Sequence, residues 1–388
     1  MAERCVEPIN AAKSPDLAPS DEVLDAFRSQ GDRLIDPLVA ELAHGDLSEL
    51  LGLLFRSDQI TTSDPRLQQL LLALTPVPLE EPELVRAGQQ LFQLYAPEVL
   101  LVLGCYGLPA AYAAANGAQV IYRSRRLKDD GQRRLCETAQ MLLNVMQPGG
   151  LEPNGIGERS ARKVRLMHAL VRGHVRALER PAPWAPAFGE PINQEDLAGT
   201  LLTFSALTLH GLRKIGVQLL PQEEAGYLAV WRHVGLLLGI DRRLLPRNSA
   251  HAQSLANSIG RRQFRASPEG SVLMQELISV TNALFPIPGY GLSLMHFFLD
   301  DSIFGLNLAT ILDLPPANWT RALVRARAFE KRVMLSWLAR LPGARARRRA
   351  FAGHFAQHLV LLQRPDKRSP FEVPPGLFER LRRTEPAA

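Results

Sequence analysis

Cysteine is scarce in this chain: Cys5, Cys105 and Cys136 are the only three, far apart and without a CxxC pair. That argues against a disulfide framework and a cysteine-built zinc or redox site, and it fits a reducing, cytoplasmic compartment. Aromatic residues are few as well, at 6% against 46% hydrophobic overall. A core drawn mainly from Leu and Ala favours helices, because strands concentrate β-branched and aromatic side chains. No segment alternates with period two over a useful length, and no repeat recurs at fixed spacing. The opening MAERCVEPINAAKSP carries acids and has no apolar centre, so it does not read as a secretory signal. Gly155 and Gly157 follow no strand, which removes a phosphate-loop reading.

Long apolar runs are also missing in uninterrupted form. Residues 99–115 are uncharged but contain Gly104, Gly107 and Pro109, and 277–299 contain Thr281, Asn282, Pro286, Pro288 and His296. A membrane helix needs about 20 consecutive apolar residues. Both stretches therefore read as core helices.

What is present is helical spacing almost throughout. Apolar positions three and four apart mark helices over residues 21–54, 68–74, 79–95, 132–146, 160–178, 197–215, 222–238, 250–264, 272–284, 292–312 and 319–341. Their connections are short and no linker divides the chain of 388 residues. The expectation is one all-α, multi-helix domain over residues 21–362, with a flexible tail at 1–20 and a Pro/Arg-rich tail at 363–388. The formal charge of +6 is concentrated late, in Arg345, Arg347, Arg348 and Arg349 and again in Arg380, Arg382 and Arg383. A solvated helix face explains such runs, and a peripheral contact with anionic lipid stays open. Without a binding motif or interleaved aromatics, nucleic acid is not an expected partner.

The richest stretch is residues 160–178, SARKVRLMHALVRGHVRAL. On a helix, Val164, His168, Val171 and Val175 stack on one face, with Arg162, Arg165, Arg172 and Arg176 on the other. An imidazole held dry and neutral there suits a metal or haem iron; equally, it suits a core histidine bonded to a carbonyl. An upstream helix offers Arg134, Glu137 and Thr138. Packed antiparallel, the two helices would set these groups across a slot from His168. Arg162 and Arg165 would then be placed to pair with carboxylate groups of a cofactor, or simply be solvated. His210 would line the cofactor edge or make a backbone hydrogen bond. Phe204, Phe285 and Phe297 are candidate walls of an apolar pocket. His354 and His358 sit four apart without a third ligand, and Glu41 with His44 makes one ExxH where a di-iron site needs two.

RLMHALVRGHV after GIGERSARKV, then PINQEDLAGTLLTFSALTLHGLRKIG and YLAVWRHVGLLLGIDRRLLP, resembles the MpaB and latex-clearing-protein family of haem oxygenases. The upstream GLPAAYAAANGAQVIYRSRRL is similar to that family's first core helices. The resemblance implies a broadly globin-like helical core around b-type haem, with His168 of the RLMHA motif as iron ligand. It implies Arg134 and Thr138 on the opposite side, where the rubber-cleaving members have Arg-x-x-Lys-Thr. Here Glu137 replaces the lysine, which in those enzymes serves as a sixth iron ligand in a closed state; a carboxylate cannot reproduce an amine ligand. The absent secretion signal counts against extracellular rubber as substrate. The implied reaction uses O2 to cleave or oxygenate a C=C bond of an apolar, isoprenoid or lipid-like molecule. Arg134 would stabilise negative charge developing on oxygen, Thr138 would donate a hydrogen bond, and Glu137 would take an allylic proton or order a water. The alternative is a non-catalytic helical protein that binds haem or lipid.

Overall fold

The computed structural model describes residues 17–42, 64–75, 77–124, 126–178, 183–301 and 303–338; side chains are not described at 126–134 and 335–338. Among these residues the fold is all-α, and the only β-type pairing is an isolated bridge between Ala114 and Phe264. The helices are α1 (Asp21–Arg28), α2 (Ile35–Leu42), α3 (Pro65–Ala73), α4 (Pro82–Val102), α5 (Leu108–Ala113), α6 (Ala115–Arg123), α7 (Arg126–Met146) and α8 (Ile156–Arg176). They continue as α9 (Gln194–Phe204), α10 (Ala206–Lys214), α11 (Pro221–Leu237), α12 (Ser249–Gln263), α13 (Pro268–Leu284), α14 (Tyr290–Leu299), α15 (Leu308–Ile311) and α16 (Thr320–Leu338). The basic runs after residue 340, His354, His358, His44 and the tail at 363–388 lie outside the described residues. Of the expected N-terminal tail, Leu17–Ser20 are described, and Ala18 donates its N–H to Ser254 Oγ at 3.0 Å.

Local chemistry sets the boundaries. Asp64, Asn193, Asn248, Ser267 and Asn307 each accept a first-turn N–H and cap α3, α9, α12, α13 and α15. Gly239, at φ +76°, closes α11 with its N–H on the Leu236 carbonyl. Three expected helices divide. The stretch 21–54 breaks after Arg28, and Asp32 Oδ1 accepts the N–H groups of Leu34 and Ile35 to start α2. The run at 197–215 breaks at Ser205 (φ −105°, ψ −85°), where Ser205 Oγ bonds back to the Leu201 carbonyl and Thr208 Oγ1 to that of Thr203. Hydroxyls competing for helix carbonyls are a known source of such bends. The run at 292–312 splits into α14 and α15 around a turn with Gly305 at φ +65°.

The long apolar stretch resolves into α4, a π-turn at Leu103–Gly107 and α5. Pro97 removes one helical N–H and crowds the preceding turn, and the backbone leaves helical geometry at Tyr95 (φ −129°, ψ 25°). By length and composition Pro82–Ala113 would cross a bilayer, but two-thirds of its most apolar window is buried within the fold. It packs along α11 as the central layer of the main core, which includes Leu91, Val99, Val102, Tyr106, Tyr227, Val230 and Val234. A second buried cluster joins Ile35, Val39, Leu67 and Leu70 of α2 and α3 to Leu166, Ala169 and Leu170 of α8.

One core histidine gives a prediction. His233 of α11 is 2% exposed, and neither ring nitrogen has a hydrogen-bond partner. Burial pushes its pKa from 6.5 down to about 4, against a small opposing pull from Glu80. Above pH 6.5 both folded and unfolded chains hold it neutral. As pH falls from about 6.5 to about 4 only the unfolded chain takes the proton, so stability is lost across that window and levels off below it. His233→Leu is expected to flatten this part of the acid limb in urea titrations from pH 7 to 4. An unchanged pH dependence would exclude the assignment.

Candidate functional site

Helices α7 and α8 form an antiparallel hairpin through the turn at residues 147–155. Close approach there requires glycine: a Cβ on Gly157 would stand 2.5 Å from the Asn144 carbonyl oxygen. Asn144 Nδ2 donates to Ser160 Oγ at 2.9 Å, tying the two helices beside the turn. Beyond it the hairpin opens onto a cavity of about 330 Å³. Glu137 and Thr138 of α7 and His168 of α8 line that one cavity, together with Leu135, Met141, Val164, Met167 and Val171. The remaining walls are Ala110, Ala111, Ala114 and Gly117 from α5 and α6, the length of α9, Trp231 of α11, and Ala256, Ile259, Gly260 and Gln263 of α12. The lining is mostly apolar, so a charge or hydrogen bond inside it acts in a weakly screening medium.

His168 is half-buried, one residue after Met167, which packs with Val120, Val171 and Val175 under Trp184 and Ile192. Arg134 lies on α7 one turn before Glu137, and its side chain is outside those described. Arg162 and Arg165 do not reach the cavity. Arg162 pairs with Glu158 at 2.8 Å and donates to the Leu74 carbonyl at 3.0 Å; Arg165 makes a two-pronged pair with Asp32, Nε–Oδ2 2.6 Å and Nη2–Oδ1 3.0 Å. Their work is to hold α2, α3 and the α1–α2 turn against α8. Most of the arginine face of α8 is thus packed: Arg172 is 1% exposed and pairs with Asp36, while Arg176 stays half exposed.

His210 also stands away from the cavity lining, tilted against Tyr106 with ring centroids 6.0 Å apart. Burial, then Lys214 and Arg213, hold its pKa below the ordinary value. Of the three phenylalanines, Phe204 lines the cavity, tilted on Trp231 at 4.8 Å; Phe285 packs on Tyr290, and Phe297 lies under Lys214 in a separate surface cleft. Cys105 and Cys136 are separate buried thiols, and burial pushes Cys105 up to about 12.

Polar residues not singled out for it also line the cavity, among them Asp196, Thr200, Thr203 and Gln263 on the α9 and α12 side. Asn193 caps α9, which leaves Asp196 three residues on with its carboxylate on Arg28 (3.1 Å) and Asn193 Nδ2 (2.8 Å). Burial pushes Asp196 up to about 6, against the pull of Arg28 and helped by the neighbouring Glu195. The cap is readable in the sequence; the cavity-facing role is not, because the rest of that wall comes from α12, more than 50 residues later.

The described residues contain no group of three His, Cys, Asp or Glu side chains placed to hold a metal ion. A single imidazole in an apolar chamber instead matches an iron whose other ligands come with a porphyrin. The wall has open space at Gly117, where a Cβ would meet nothing closer than Ala114 Cβ at 4.0 Å, whereas at Gly199 it is close-packed, a Cβ there pressing on Ile259 Cγ2 at 3.2 Å.

Comparison with known proteins gives three findings. The family model described as "ER-bound oxygenase mpaB/B'/Rubber oxygenase, catalytic domain" matches residues 93–361. A rubber oxygenase from Streptomyces sp. (strain K30) is 23% identical over 158 residues, which span 40% of this chain and 38% of that protein. The solved structure of latex clearing protein LCP in its closed state superposes with a TM-score of 0.66 at 19% identity, covering 92% of this chain and 90% of that one. At that identity the superposition speaks for the shared fold.

Proposed function

Since the chain belongs to the mpaB/B' and rubber oxygenase family, we propose that it is a haem b-dependent oxygenase acting with O2 on a C=C bond of an apolar, isoprenoid or lipid-like molecule. The observation that carries this reading is the convergence of His168, Glu137 and Thr138 on one largely apolar cavity. His168 is the residue that would hold haem, its imidazole presented from a helix whose neighbouring Met167 and Val171 are packed in place. When bound, haem supplies the dioxygen chemistry. Thr138 donates a hydrogen bond into the chamber, and Arg134, one turn earlier on α7, is the residue we assign to stabilising negative charge on oxygen. Glu137 orders a water or takes a proton from an allylic carbon. The Leu, Ala and Val walls exclude water and match a hydrocarbon chain. With its two described cysteines buried and in no disulfide, we place the protein in a reducing compartment, the cytoplasm.

The test is the absorption spectrum of protein produced with sufficient haem, for wild type and for His168→Ala. Wild type is expected to retain haem through purification and show a Soret band; the alanine variant should lose most of it while keeping its helical circular dichroism. Identical spectra would remove His168 as ligand. Oxygen uptake on adding unsaturated isoprenoids, absent with their saturated counterparts, separates an oxygenase from a helical binding protein.

A further inference from the structure

Gln263, the last residue of α12, is 3% exposed and lines the cavity. Its Nε2 donates to Glu195 Oε2 at 3.1 Å, which fixes the carboxamide: only the amide nitrogen can face a carboxylate. The other end, Oε1, is buried without a hydrogen-bond partner. Glu195 is itself held by Arg28 at 3.2 Å and Arg262 at 2.8 Å, so Gln263 is braced by a charged network and cannot turn its oxygen elsewhere cheaply. The same Arg28 binds Asp196, which places a second acceptor on this wall. A buried carbonyl without a donor carries an uncompensated desolvation penalty, and a ligand that donates to it recovers that cost. Thr200 and Thr203 spend their hydroxyl protons on the Asp196 and Thr200 carbonyls, so they add further acceptor lone pairs and no donor. Apart from the second N–H of the Gln263 carboxamide, the polar groups of this wall are acceptors.

We propose that Gln263, with Asp196 beside it, forms a subsite for a hydrogen-bond-donating group, a hydroxyl carried at one end of an otherwise apolar substrate. The inference deepens the oxygenase reading by naming the substrate as an apolar alcohol and not a bare hydrocarbon. The subsite itself stands on the cavity alone.

The probes are decan-1-ol and its methyl ether, equal in chain but differing in the donor. Binding is measured by equilibrium dialysis under argon, with haem-loaded protein, so that no turnover is needed. In wild type the alcohol is expected to bind at least as tightly as the more hydrophobic ether. Gln263→Met, which keeps the length and removes the acceptor, should lower the alcohol-to-ether affinity ratio roughly tenfold while sparing the ether. An unchanged ratio in the variant overturns the subsite. The wild-type comparison needs no variant to fold: an ether that binds more tightly than the alcohol overturns it too. If the protein takes up no haem, the Soret test fails while this ratio is still measurable on the chain as purified, so the two failures are told apart.

Discussion

Arg172→Ala is expected to lower folding stability by about 3–5 kcal/mol, the usual penalty for leaving one half of a buried ion pair alone. Arg172 is 1% exposed, and its Nε lies 3.1 Å from Asp36 Oδ2. Burial works against both charges, drawing the Arg172 pKa down and the Asp36 pKa up, with mutual attraction as the counterweight. Arg172 Nη1 has no hydrogen-bond partner, so the pair is not fully satisfied even when intact. Alanine would leave Asp36 with the Asp32 N–H at 3.0 Å and, as cation, Arg176 at 3.6 Å and half exposed. The double replacement Arg172→Met with Asp36→Leu removes both desolvated charges and should regain most of the loss. Urea denaturation at pH 7 checks both statements. A single variant within about 1 kcal/mol of wild type would show the pair to be energetically idle.

This pair marks the boundary of what the sequence discloses. Period 3.6 in residues 160–178 assigns faces to a helix, and it places His168, Val164 and Val171 together as found. It says nothing about what covers the opposite face. Here α2, α3 and the α1–α2 turn do so, and the carboxylates of Asp32 in that turn and Asp36 in α2 make buried anchors of Arg165 and Arg172. Reading Arg162 and Arg165 as partners for a cofactor assumed an open face that does not exist. The α7–α8 pairing was legible because the two helices are sequential, joined by a glycine turn that lets them approach. Asp196 and Gln263 were not, since their shared wall depends on α9 meeting α12. Helix breaks at Ser205 and after Arg28 escaped notice for a local reason: side-chain oxygens there capture backbone groups without disturbing the apolar spacing.

Gly88→Val is expected to abolish the soluble folded protein, and Gly88→Ala to destabilise it severely. At the crossing of α4 and α11 a Cβ on Gly88 would stand 2.3 Å from the Gly226 carbonyl oxygen and 2.8 Å from the Tyr227 nitrogen. The converse holds for Gly226, whose Cβ would meet the Leu84 carbonyl oxygen at 2.5 Å and the Gly88 nitrogen at 2.6 Å. These are backbone atoms, so no rotamer change relieves the clash and the helices must separate. Overpacking against movable side chains typically costs 1–3 kcal/mol, and prising apart the central helix pair of the core exceeds that. Expression of soluble protein and thermal melting read the effect. The same substitution decides between two fates for α4, part of the stretch Pro82–Ala113 that has the length and apolarity of a membrane span. A helix surrounded by lipid would accept valine at position 88 with little change. Only one packed backbone-to-backbone against α11 would not, and that packing also holds Trp231 and the rest of α11 against the cavity that His168 faces.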